Sequence, residues 1–166
     1  GDSISLSSDG SVVAIGAHRN DGNGGSSGQV RIYQNQNGIW TKLGDDIDGE
    51  AAVDLSGSSV SLSSDGSVVA IGASYNDGNG DNSGHVRIYQ NQNGTWEKLG
   101  DDIDGEAAGD QLGFSVSLSS DGTAVAIGAL NNDGNGTNSG HVRVYQIDLD
   151  TGAPIITGPS GEAGDA

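Results

Sequence analysis

Ser59-Val60-Ser61-Leu62-Ser63-Ser64-Asp65-Gly66-Ser67-Val68-Val69-Ala70-Ile71-Gly72-Ala73 decides the fold of this chain. Residues 59–63 alternate small polar and apolar side chains with period two, the mark of a half-buried β-strand. Asp65-Gly66 then turns the chain, because glycine accepts positive φ. Residues 68–73 are apolar on both faces, as in a strand covered on both sides. Working outward, a polar loop runs from Tyr75 to Gly84, and His85-Val86-Arg87-Ile88-Tyr89-Gln90 alternates again. Asn93-Gly94 is a strong hairpin signal, and Thr95-Trp96-Glu97-Lys98-Leu99 forms the fourth and most polar strand. An acidic connector from Gly100 to Gly113 leads onward.

The same unit occurs three times at an offset of 56 residues. Asp9-Gly10, Asp65-Gly66 and Asp121-Gly122 are 56 apart, as are the tracts beginning at Val30, Val86 and Val142. Such self-similarity denotes supersecondary units that bury their faces against one another. The units are residues 1–56, 57–112 and 113–146, the third incomplete because no Asn-Gly turn or Trp follows Gln146. Serine-rich first strands suit a crowded axis and polar fourth strands suit a solvated rim. That taper predicts an all-β protein of three four-stranded antiparallel blades of a β-propeller, the last blade lacking its outer strand. A β-solenoid is the structural competitor, but its coils are shorter and lack two hairpins per repeat. Propellers usually close with about 4–8 blades, so the expectation is part of a larger ring. A chain opening at Gly1 rather than Met fits a processed or excised piece.

Composition excludes several classes. The net charge is −17, from 23 acidic and 6 basic residues. That charge repels nucleic-acid phosphates and anionic membranes. No cysteine is present, so disulfides and thiolate metal sites are excluded. No apolar run approaches the ~20 residues that span a bilayer. With 30 glycines and 4 % aromatics, disorder would be the default, but the regular alternation argues against it.

Gly113-Phe114-Ser115-Val116-Ser117, Val125-Ala126-Ile127-Gly128-Ala129 and Gly140-His141-Val142-Arg143-Val144-Tyr145 make residues 1–146 resemble the FG-GAP repeats of integrin α-subunit propellers and their bacterial relatives. The resemblance implies a location outside the cell or on its surface, in a large secreted protein. Residues 147–166 resemble a linker toward a following Ig- or cadherin-like domain. There are departures. The family's Gly-Ala-Pro is replaced by Gly16-Ala17-His18, Gly72-Ala73-Ser74 and Gly128-Ala129-Leu130, and only Phe114 keeps the aromatic, against Asp2 and Ser58. The family's calcium loop between the first two strands is here only Ser-Ser-Asp-Gly, too short to wrap a cation. Its calcium sites therefore do not carry over to Asp9, Asp65 or Asp121.

Calcium favours 6–8 oxygen ligands, often at alternate positions of a glycine-containing turn. The loop between the second and third strands offers Asp77, Asn79 and Asp81 in that spacing, with Asp21 and Asn23, and Asp133 and Asn135, as weaker copies. The competing reading is an Asn-Gly loop whose side chains cap their own backbone. The connectors Asp45-Asp46-Ile47-Asp48-Gly49-Glu50 and Asp101-Asp102-Ile103-Asp104-Gly105-Glu106 emerge on the same face of a blade as these loops. Acidity should therefore crowd one rim, as a cation- or partner-binding face or as solvated surface.

No catalytic constellation is visible. His18 has no counterpart, His85 and His141 open third strands, and the carboxylates lie in loops without apolar neighbours to raise a pKa. Arg31, Arg87 and Arg143 recur where they can pair with acids of a neighbouring blade; Trp40 and Trp96 suit packing between blades or stacking on sugar. The expected function is a non-enzymatic extracellular structural or adhesion module. Its expected partners are further blades of the chain, a second copy, or a surface glycan or protein. The alternative is a lectin-like propeller with sites between blades.

Overall fold

The computed structural model describes residues 1–151 and the backbone of strand 154–156. Among them lie thirteen strands and no helix, in three antiparallel sheets. The first sheet holds β1 (Ser3–Leu6), β2 (Val12–Gly16), β3 (Gln29–Gln36) and β4 (Ile39–Lys42), with β5 (Ile47–Asp48) also pairing β3. The second holds β6 (Ser59–Leu62), β7 (Val68–Ala73), β8 (His85–Gln92) and β9 (Thr95–Asp104). The third holds β10 (Leu112–Leu118), β11 (Ala124–Ala129), β12 (His141–Ile147) and β13 (Pro154–Ile156). Leu6 pairs Val13, Leu62 pairs Val69 and Leu118 pairs Val125, so register repeats with the sequence period.

Two features depart from the sequence reading. The outer strand expected to be missing from the third sheet is present as β13, with Tyr145 opposite Ile156 and Ile147 opposite Pro154. No Asn-Gly turn follows Gln146, so the hairpin signal is absent although the pairing forms. The remaining residues of the expected linker lie outside the described residues. The fourth strand of the middle unit also runs on past Leu99 through the acidic connector to Asp104. A register shift between Val86 and Ile88 absorbs the extra residues, and Gly100 at φ 63° permits the bulge.

Each sheet buries both faces only where it has a neighbour. Val12, Ala14, Val30, Ile32 and Ile47 of the first sheet pack on Val60, Leu62, Val69 and Ile71 of the second. The second sheet's opposite face, Val68, Ala70, Val86, Ile88, Leu99 and Ile103, packs on Val125, Ile127 and Tyr145 of the third. This is why β7 is buried at every position. Backbones approach closely near the inner strands. A Cβ on Gly72 would stand 2.1 Å from the Gly113 carbonyl oxygen, and one on Gly16 2.1 Å from that of Gly57.

Candidate functional site

The inner edges of the sheets are joined by serines. Ser3 Oγ donates to the Gly57 carbonyl at 2.8 Å and Ser59 Oγ to that of Gly113 at 2.7 Å. The Leu62 amide donates to Ser5 Oγ and the Leu118 amide to Ser61 Oγ, both at 2.9 Å. The serine-rich first strands thus serve as polar stitching between blades as well as small filler.

The connectors carry the polar clusters. Asp54 accepts from Asn76 Nδ2 at 3.0 Å, and Asp110 from Asn132 Nδ2 at 2.9 Å; all four residues are buried. The same carboxylates accept the Ala51 and Ala107 amides. Glu50 forms an ion pair with Arg87 of the next sheet, and Glu106 with Arg143. Arg87 also binds Asp102 through Nε at 3.0 Å and Nη2 at 2.8 Å. Arg31 instead pairs with Asp46 of its own unit at 3.0 Å.

Around Arg87 the electrostatics are sharpest. Ligand atoms of Glu50, His85 and Asp102 lie within 4.8 Å of one another. His85 is buried, with Nδ1 3.6 Å from Asp102 and 4.0 Å from Glu50 and no hydrogen-bond partner. Burial and the Arg87 charge push its pKa below the usual 6.5, despite Asp102, Glu50 and Asp104 nearby. Burial alone would raise the Asp102 carboxyl, but the hydrogen bonds from Arg87 and Lys98 outweigh it and bring the group down to about 2. Burial likewise disfavours the Arg87 charge, and Asp102 and Glu50 reverse that, holding the guanidinium ionised. Two carboxylates facing Arg87 and Lys98 are already neutralised. A divalent cation would meet two positive charges there, so this donor set fits an ion-pair network better than a metal.

The loop residues proposed as calcium ligands occupy equivalent places in the three units. Asp77 Oδ1 accepts the Asn82 amide at 2.7 Å, as Asp21 accepts that of Ser26 and Asp133 that of Asn138 at the same distance. Asn79 Nδ2 donates to the Gly105 and Glu106 carbonyls at 2.8 and 3.2 Å, and Asn23 does the same to Gly49 and Glu50 at 2.9 and 2.8 Å. Loop and connector therefore meet on one rim. Asp77 and Asn79 are engaged in shaping the loop, leaving Asp81 as the ligand of the three with no such bond among the described residues. The short turns are self-capped: Asp9 accepts from Ser7 Oγ, Ser11 Oγ and the Ser11 amide, and these bonds lower its pKa to about 2.

Two clefts lie at blade junctions. One of about 390 Å³ is lined by Glu106, Asp110, Asn132, Asp133 and His141, among others. Another, of about 240 Å³ at the rim, has Trp96 beside Asp45, Asp46 and Thr95. Trp96 Nε1 donates to the Leu43 carbonyl of the preceding sheet at 2.9 Å, which fixes the ring across the junction. The Asp54–Asn76 and Asp110–Asn132 pairs were not legible in the sequence. Their partners stand 22 residues apart in no motif, and only recurrence of both at the repeat offset marks them.

No functionally curated protein matches this chain at a significant level. Among solved structures, 78 chains match. One, a provisionally assigned 6-phosphogluconolactonase from Bacteroides uniformis ATCC 8492, aligns with a TM-score of 0.63 at 15 % identity. The alignment covers 93 % of this chain and 38 % of that one, so this chain spans well under half of its structural relative. At that identity the likeness bears on the fold alone, which is of β-propeller type. The family model for the FG-GAP repeat matches residues 103–145, from the end of β9 through β12. Residues 103–145 are an FG-GAP repeat, set in an all-β chain of propeller-like sheets.

Proposed function

We propose that this chain is a non-enzymatic structural and adhesive module of an extracellular surface or secreted protein. One observation carries the reading: the Asp–Asn and Glu–Arg contacts that join connector, loop and neighbouring sheet recur from junction to junction. Asp54–Asn76 and Glu50–Arg87 are repeated as Asp110–Asn132 and Glu106–Arg143. An enzyme needs one place where polar groups converge differently from their copies, whereas repeated equivalent surfaces favour spacing and avidity. The structural relative is assigned as a lactonase, so a lactone-hydrolysis assay is the apt test. No turnover is expected. Turnover abolished by His141→Gln would overturn the reading. Surface proteolysis of intact producing cells should release fragments of the chain; complete protection would contradict the extracellular placement.

A lectin reading is favoured by the rim cleft, where Trp96 stands beside two carboxylates at a blade junction. A glycan array separates the two: binding lost in Trp96→Ala, with an unchanged melting curve, supports the lectin, and silence supports the scaffold. Calcium at Asp77, Asn79 and Asp81 is tested by melts in calcium and in sodium of matched ionic strength, since screening alone acts equally in both. Because Asp77 and Asn79 already carry loop hydrogen bonds, equal gains are expected. A calcium-specific gain removed by Asp81→Asn would place an ion there.

A further inference from the structure

Two stretches of the chain read Asn-X-Ser/Thr with X other than proline: Asn93-Gly94-Thr95 and Asn135-Gly136-Thr137. That spacing, an amide with a hydroxyl two residues on, is the pattern of an N-glycosylation acceptor. The structure separates the two. Asn93 and Gly94 make the turn between β8 and β9, at φ 56° and 94°. The Gly94 amide donates to Asn91 Oδ1 at 2.9 Å, so the turn is capped without the Asn93 side chain. Asn93 and Thr95 are both exposed, and neither side chain makes a hydrogen bond among the described residues. A Cβ built on Gly94 would meet nothing within 4 Å. Asn135 lies in the loop between the second and third strands of its unit. Its counterparts Asn23 and Asn79 each spend Nδ2 on two connector carbonyls. The repeat thus gives that asparagine a loop-shaping task, and Asn93 none.

We propose that Asn93 is the acceptor of an N-linked glycan. The donor is a glycan carried on a lipid pyrophosphate, and a separate transferase brings it to the chain. Asn93 Nδ2 attacks C1 of the first sugar. The Nδ2–C1 bond forms as the C1–O bond to pyrophosphate breaks; the pyrophosphate leaves with the electron pair, and Nδ2 gives one proton to a base of the transferase. Nothing is oxidised or reduced. The place suits the modification physically. β9 is the outer strand of the middle sheet, and Asn93 stands just before its first residue. An open strand edge invites pairing with other chains, and a bulky, solvated glycan at that edge opposes it. The first unit supplies an internal comparison. Asn37 and Gly38 make the same turn at φ 56° and 88°, with the Gly38 amide on Asn35 Oδ1 at 2.8 Å, but Ile39 replaces the threonine. The two turns differ in the one hydroxyl that the acceptor pattern requires.

The inference rests on the extracellular module reading, because the chain meets such a donor on its way out of the cell. The test is peptide mapping by mass spectrometry of the chain recovered from the cells that produce it, before and after an amidase that releases N-linked glycans and leaves aspartate. One glycan is expected, on Asn93, with Asn37 and Asn135 bare. Thr95→Ala, made in the same cells, should lose it and Thr95→Ser should keep it, both with unchanged circular dichroism, since position 95 is exposed. Ile39→Thr should gain a second glycan, on Asn37. A bare Asn93 overturns the proposal, as does a glycan on Asn135 in its place, a glycan that survives Thr95→Ala, or an Asn37 left bare by Ile39→Thr. Surface proteolysis keeps the two failures apart. A bare Asn93 on a chain that the protease reaches sinks the glycan and leaves the module reading standing; a chain wholly protected on intact cells sinks the module reading by itself.

Discussion

Gly72 and Gly128 hold the same place in β7 and β11, yet their surroundings differ. Gly72 faces the Gly113 backbone of the next sheet, and Gly128 faces only its own sheet's Ser115. Gly72→Ala must push two blades apart, an overpacking that costs about 1–3 kcal/mol. Gly128→Ala needs only a serine rotamer and should cost well under that; urea melts of the two variants at low protein concentration check the difference. His85 gives a pH-dependent prediction. Its folded pKa lies below the usual 6.5, so on acidification the unfolded chain takes up the proton first. The stability that rests on neutral His85 is fully present above about pH 6.5 and is lost as pH falls through the folded value. The first unit shows the replacement: Gln29, equally buried, donates to Asp48 at 2.6 Å. His85→Gln should gain the corresponding bond to Asp104 and flatten the melting temperature between pH 7 and 5. An unchanged slope would assign the acid loss elsewhere. Asp102 acts in a lower window. Its depressed pKa of about 2 stabilises the fold above the ordinary carboxylate value of 3.8, and that contribution disappears between there and pH 2.

At the scale of the strands, the repeats were legible because period-two alternation, Asp-Gly turns and Asn-Gly turns are local signals. β6, β7 and β8 follow them closely. What local signals could not show is the second half of β9. Gly100-Asp101-Asp102 reads as a charged connector, and only pairing of Ile103 with Val86 and Asp104 with His85 makes it strand. β13 escaped for a related reason, its hairpin lacking the Asn-Gly turn that marks the other two. The polar contacts divide likewise. Cross-blade arginine pairing was anticipated from recurrence alone and is found for Arg87 and Arg143. The buried Asp–Asn pairs depend on how connector and loop fold over one another. Asp54→Ala leaves Asn76 and the Ala51 amide without their acceptor, and an unsatisfied buried polar group costs about 1–3 kcal/mol. In a double-mutant cycle, Asp54→Ala and Asn76→Ala should be strongly non-additive. Additive losses would mean that the pair does not couple connector to loop.

For the whole molecule, a chain with 30 glycines and 4 % aromatics cannot fill one thick core. It is held instead by two thin apolar layers, one at each sheet-to-sheet junction. The burial of a residue is therefore set by whether its sheet has a neighbour, since the local sequence hardly changes from unit to unit. Leu6 and Leu62 sit in the identical heptapeptide Ser-Leu-Ser-Ser-Asp-Gly-Ser, one 57 % exposed and the other 7 %. If the sheets stack as blades, an aspartate at position 62 is buried without a partner, at a cost of several kcal/mol, while one at position 6 meets water. For a chain of this size each kcal/mol lowers the melting temperature by roughly 2–4 °C. The decisive measurement is the melting temperature of Leu6→Asp and Leu62→Asp beside the parent, at concentrations low enough to keep every protein monomeric. Stacked blades predict a change of at most a few degrees for Leu6→Asp and a loss on the order of 10 °C or outright unfolding for Leu62→Asp; equal losses from the two identical heptapeptides would contradict the account.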